Sequence, residues 1–78
     1  MNEKKYRDYL TQKNLLNIDF KIKWLKKAEK LVGKSVEYML YNEETLIESI
    51  KIIRQNARHK PNRMVNQIRN YKDMLKES

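Results

Sequence analysis

The sequence predicts an all-α protein: a compact four-helix bundle with a short extra helical turn, in one domain spanning residues 1–78. Three observations predict it. One Gly and one Pro leave few sites for sharp turns, which argues against a β fold. Leu, Ile, Lys, Glu and Asn dominate, while the strand-favouring Val and Thr are sparse. Apolar residues recur at helical spacing in four stretches, approximately residues 3–13, 18–32, 43–56 and 62–76.

The first helix carries Tyr6, Tyr9 and Leu10 on one face at i, i+3, i+4. The link Asn14-Leu15-Leu16-Asn17 follows, and Asn17 is the expected N-cap of the second helix, with Asp19 near its positive end. In that helix Ile18, Ile22, Leu25, Ala28, Leu31 and Val32 form the inner arc. Gly33, free to take a positive φ, stops it. Ser35 then caps a short turn holding Val36, Met39 and Leu40. Asn42, followed by Glu43 and Glu44, starts the third helix, whose inner face is Leu46, Ile50, Ile53 and Ala57 with Ile47 beside them. Pro61 breaks the pattern, because the residue before it is pushed from the α region. Either Pro61 lies in the first turn of the final helix or Asn62 caps it; Met64, Val65, Ile68, Tyr71 and Leu75 then point inward.

A chain this short buries roughly 60–65% of its unfolded surface, so only modest stability is expected. There is no cysteine for a disulfide, a nucleophile or a thiolate metal site, and no apolar run for a membrane span. A cytoplasmic monomer without cofactor or metal is the expectation. His59 is the sole histidine and stands between Arg58 and Lys60, with no second ligand at metal-binding spacing. Ser35 and Ser49 fit no nucleophile pattern, Glu43, Glu44 and Glu48 read as caps and a solvated face, and no glycine-rich loop could cradle phosphate. The chain is therefore expected not to be an enzyme.

Charge carries more information. The net charge is +8, concentrated at the two ends: residues 1–30 carry +5, residues 31–55 carry −1 and residues 56–78 carry +4. At 100° per residue, Lys23, Lys26, Lys27 and Lys30 fall on the outer arc of the second helix, over roughly 10 Å of its length. A second cluster, Arg58, His59, Lys60, Asn62, Arg63, Asn66, Arg69 and Asn70, mixes Arg with Asn across the last link and the final helix. Lysines offer point charges to phosphates, whereas Arg and Asn can make paired hydrogen bonds to guanine and adenine. Trp24 projects onto the margin of the inner arc and Tyr6, Tyr9 and Tyr71 onto inner faces, which favours core packing over stacking platforms for single strands; Tyr38 and Tyr41 have no assignment. A lysine-rich amphipathic helix can also lie on an anionic membrane, but here three partner helices are available to cover its apolar face.

The order of elements resembles the SAM-like N-terminal, core-binding domain of tyrosine recombinases and phage integrases. The similarity lies in the Tyr9-Leu10 helix, the long helix ending Leu31-Val32-Gly33, the acidic-capped third helix, and Asn62-Arg63 … Ile68-Arg69-Asn70-Tyr71 … Leu75. It implies a module that clamps double-stranded DNA with its second and fourth helices at the major groove. Two departures stand out. Asn17-Ile18-Asp19 replaces a Ser/Thr-rich helix start, with Asp19 repelling phosphate, and the family's catalytic domain is missing. The expectation is thus a non-catalytic DNA-binding module, an excised domain or a small protein reusing the fold. It would contact DNA through Lys23, Lys26, Lys27, Lys30, Arg58, Lys60, Asn62, Arg63, Asn66 and Arg69. The alternative is a small protein-binding factor of phage or mobile-element type that targets a larger nucleic-acid enzyme.

Overall fold

The computed structural model describes residues 1–77, which form α1 (Glu3–Gln12), α2 (Ile18–Val32), α3 (Val36–Met39), α4 (Glu43–Asn56) and α5 (Pro61–Glu77). The anticipated extra turn is α3. Ser35 caps it, its hydroxyl accepting from the Tyr38 N–H at 3.2 Å. Gly33 ends α2 at φ 78°, where its N–H reaches the Glu29 carbonyl at 2.8 Å. Asn42 opens α4 in a reciprocal cap: its side-chain oxygen accepts from the Thr45 N–H at 2.8 Å, and the Thr45 hydroxyl accepts from the Asn42 N–H at 3.2 Å. Pro61 is the first residue of α5, after Lys60 in the left-handed region at φ 51°.

Three expectations need correction. Asn17 is not a side-chain cap: it sits at φ 59° with no capping hydrogen bond. The short α1–α2 link reverses the chain without a glycine, so Asn14 at φ 55° and Asn17 supply its left-handed positions. That leaves Asn17 without the extended backbone a cap requires. Ile47 faces outward, 61% exposed, and Ser49 takes the buried position. Ser49 satisfies its hydroxyl on the Thr45 carbonyl at 2.6 Å, so a small polar side chain can enter the core. Leu75 is 40% exposed because Met74 holds the last inward step of α5.

α2 and α5 form the central pair, with α1 and α4 flanking them and α3 closing one end against α4. Their shared core comprises Tyr6, Leu10, Ile22, Leu25, Ala28, Val36, Met39, Ile53, Met64, Val65, Ile68, Tyr71 and Met74. Gln67 is buried with them, and its Oε1 accepts from the Tyr6 hydroxyl at 2.6 Å.

A polar cluster ties the amino terminus to three helices. The Met1 ammonium lies 2.9 Å from Glu29 Oε2 and 2.9 Å from Glu37 Oε1. Glu29 Oε2 also accepts from the Val36 N–H at 2.8 Å. The Tyr71 hydroxyl donates to Glu37 at 2.7 Å and accepts from the Asn2 N–H at 3.0 Å. Burial is the main cause that pushes Tyr71 up to about 12. Burial opposes the Met1 charge, but its bonds to Glu29 and Glu37 prevail and raise its pKa above 8.0. For Glu37 burial is likewise overcome, by the ammonium and Tyr71, and the pKa falls below 4.5.

The two shifts act at opposite ends of the pH scale. The raised ammonium contributes stability that is complete below pH 8.0 and lost as pH rises through its folded value. The lowered Glu37 contributes stability present above pH 4.5 and lost as pH falls through its folded value. Urea midpoints measured against pH should therefore form a plateau between these limits. In Glu37→Gln the acid shoulder should flatten; an unchanged profile would remove Glu37 from this role.

Candidate functional site

The α2 lysines divide between two sides of the helix. Lys26 turns toward α1, where its Nζ lies 2.6 Å from Glu3 Oε1. Lys27 turns the other way, its Nζ 4.6 Å from the Trp24 ring centroid. Lys27, Lys30, Leu31 and Trp24 form one wall of a groove of about 530 Å³. The end of α4 and the following link supply the opposite wall through Asn56, Ala57, Arg58 and His59, and Met64 of α5 completes it. A second groove, about 290 Å³, adjoins along α2, with Phe20, Lys21 and Trp24 on one side and Arg63 and Gln67 of α5 on the other. Asn17 closes its end. Trp24 borders both.

The α2–α5 face therefore gathers Lys21, Lys27, Lys30, Arg58 and Arg63, and no Asp or Glu lines either groove. The ion pairs among the described residues lie elsewhere, on the α1 side: Glu3 with Lys26 and Arg7, Arg7 with Asp19, Lys13 with Glu77, and Met1 with Glu29 and Glu37. Asp19 is thus held by Arg7 at 2.7 Å, which offsets its charge at the start of α2.

The other sequence-derived candidates scatter more widely. Lys23 is exposed one turn before Lys27, at the margin of the face. Lys60 is exposed in the link beside Arg58. The Asn62 side-chain oxygen accepts from an Arg54 Nη at 3.3 Å, so it is engaged by α4. Asn66 and Arg69 are exposed on α5, but six residues separate Arg69 from Arg63, which places it about 120° around the helix. Arg69 and Lys26 therefore stand apart from the groove cations.

Phe20 and Lys21 belong to the face although the apolar arc did not single them out. The signal was present for Phe20: an aromatic lying on the outer arc of an amphipathic helix, one turn before Trp24. It is 58% exposed. Lys21 starts nearer the inner arc, and its Nζ reaches the Leu16 carbonyl at 2.6 Å.

The groups with shifted pKa lie mostly on the α1 side and reflect burial or ion pairing. Tyr9, for example, is pushed up to about 12 by its bond with Glu77 and by burial. Among the described residues no group of His, Cys, Asp and Glu is placed to hold a metal ion, and no helix is long and apolar enough to cross a membrane. No family model, curated protein or solved structure matches this chain.

Proposed function

We propose that this protein is a non-catalytic DNA-binding module that lays its α2–α5 face on duplex DNA. The observation that carries the reading is the segregation of charge: five cations surround two adjoining grooves lined by no carboxylate. Such a surface attracts a polyanion. Lys23, Lys27, Lys30 and Lys60 would neutralise phosphates, while Arg58 and Arg63, with the exposed Asn66 one turn beyond Arg63, would reach base edges. The helix order that resembles integrase core-binding domains implies the same pair of helices on DNA, which supports the assignment. A phage or mobile-element origin would rest on that resemblance alone.

One observation favours a second reading. The larger groove is floored by Trp24, Leu31, Ala57 and Met64, an apolar lining that suits an acidic amphipathic segment of a larger nucleic-acid enzyme. Fluorescence-anisotropy titrations with duplex DNA, single-stranded DNA and RNA, each at several salt concentrations, separate the two. Duplex affinity should fall with salt at a log–log slope of about −0.9 per phosphate neutralised. Salt-insensitive or absent binding to all three nucleic acids would favour the protein partner.

A further inference from the structure

We infer that the Trp24 grooves take unpaired bases beside a duplex, so that the preferred ligand is double-stranded DNA carrying a single-stranded tail. The inference rests on the nucleic-acid reading above and specifies its substrate. A duplex keeps its bases stacked inside and presents phosphates and groove edges outward. Laid on this face, it would satisfy the cations but leave the apolar floor of Trp24, Leu31, Ala57 and Met64 unfilled. An unpaired base matches both features at once, with an apolar ring to bury and a phosphate on either side. The cations stand on both banks of the groove, Lys27 and Lys30 on α2 and Arg58 on the link. A groove of about 530 Å³ is roomy enough for a base and part of its sugar.

A second aromatic extends the site. Phe20 precedes Trp24 by one turn, about 6 Å along α2, and lines the adjoining groove opposite Arg63. Two aromatic side chains one turn apart, each lining a groove edged by cations, would let successive bases of a single strand stack with little preference for sequence. The Lys27 ammonium over the Trp24 ring is on a flexible, exposed stem and can yield the ring to a base while pairing with its phosphate. Neighbouring exposed polar side chains, Asn56 and His59, lie where base edges would fall.

The experiment uses the full chain and three ligands of equal duplex sequence: blunt, with a short thymidine tail, and with a tail of abasic sugar-phosphate of the same length. Each tail is tried at both strand polarities. Trp24 is the only tryptophan, so its emission reports the groove directly. The thymidine tail should tighten binding about tenfold per stacked base and quench Trp24, while the abasic tail does neither. Phe20→Ala, at an exposed position, should lower the ratio of tailed to blunt affinity. Equal affinity for blunt and tailed duplex, or equal gains from thymidine and abasic tails, would overturn the inference while leaving salt-dependent duplex binding intact. Failure of all three ligands to bind would overturn both readings. Quenching of Trp24 by polyglutamate and by none of the DNAs would assign the groove to an acidic polypeptide and overturn the inference as well.

Discussion

Replacing Lys27, Lys30, Arg58 and Arg63 together with glutamine is expected to cut duplex affinity by roughly a thousandfold at about 0.1 M salt. The magnitude comes from counterion release. Each cation that neutralises a phosphate contributes about 0.9 to the slope of log affinity against log salt, so losing four flattens it by about 3.6. Glutamine preserves most of each aliphatic stem, and Lys27, Lys30, Arg58 and Arg63 are all exposed, so the fold should survive with an unchanged circular dichroism spectrum. The comparison that makes the test specific is a second variant, Lys26→Gln with Arg69→Gln. Lys26 is already neutralised by Glu3, and Arg69 lies about 120° around α5 from Arg63. That variant should keep affinity within about tenfold of the parent. If the two variants lose affinity equally, the grooves do not define the contact face.

Leu25→Ala is expected to remove about 3 kcal/mol of stability. Leu25 is fully buried near the middle of α2, the helix that touches α1, α4 and α5 alike. Truncation there leaves a cavity bordered by several elements that cannot all close on it. A domain of this size has only about 5 kcal/mol or a little more in hand. The midpoint of thermal unfolding should therefore drop by roughly 12–24 °C. Ile47→Ala supplies the contrast: its side chain is largely exposed, and the midpoint should move by no more than a few degrees. A large effect at Ile47 with a small one at Leu25 would mean that the helices are rotated from the phases described.

Much of this architecture was legible in the residues. The limits of α2, the stop at Gly33, the Ser35 turn and the Asn42 cap each follow from local chemistry that needs no tertiary partner. Phase errors arose where a rule of thumb met a competing preference. Hydrophobicity favoured Ile47 over Ser49, yet a serine that bonds back to its own helix costs little to bury. At the end of α5 both Met74 and Leu75 are apolar, and only the neighbouring helices decide between a three- and a four-residue step. Asn17 can serve a turn or a cap, and the short link required the turn.

Long-range pairings were the least legible. Glu29 falls amid the apolar positions of α2 with no local reason to be there. Its partners are Met1 and Val36, which only folding brings near. The candidate face was half legible. The lysine row was evident, but a helical wheel does not say which lysines meet a neighbouring acid, so Lys26 and Lys27 looked equivalent until Glu3 of α1 separated them. Phe20 was visible as an outer-arc aromatic, but its value depends on Arg63, more than forty positions downstream.

The carboxylates that form ion pairs stand on the α1 side, while the cations around the α2–α5 grooves have no carboxylate lining beside them, so positive charge is left in local excess on that one face. In the field of a polyanion such a body feels a torque before it touches anything, and arrives already turned. Fewer encounters are then wasted on the wrong orientation, and capture becomes fast as well as tight. Added electrolyte shortens the reach of that torque to a few ångströms at molar strength. Arrival should therefore slow with ionic strength on its own account, apart from any change in how long the complex lasts.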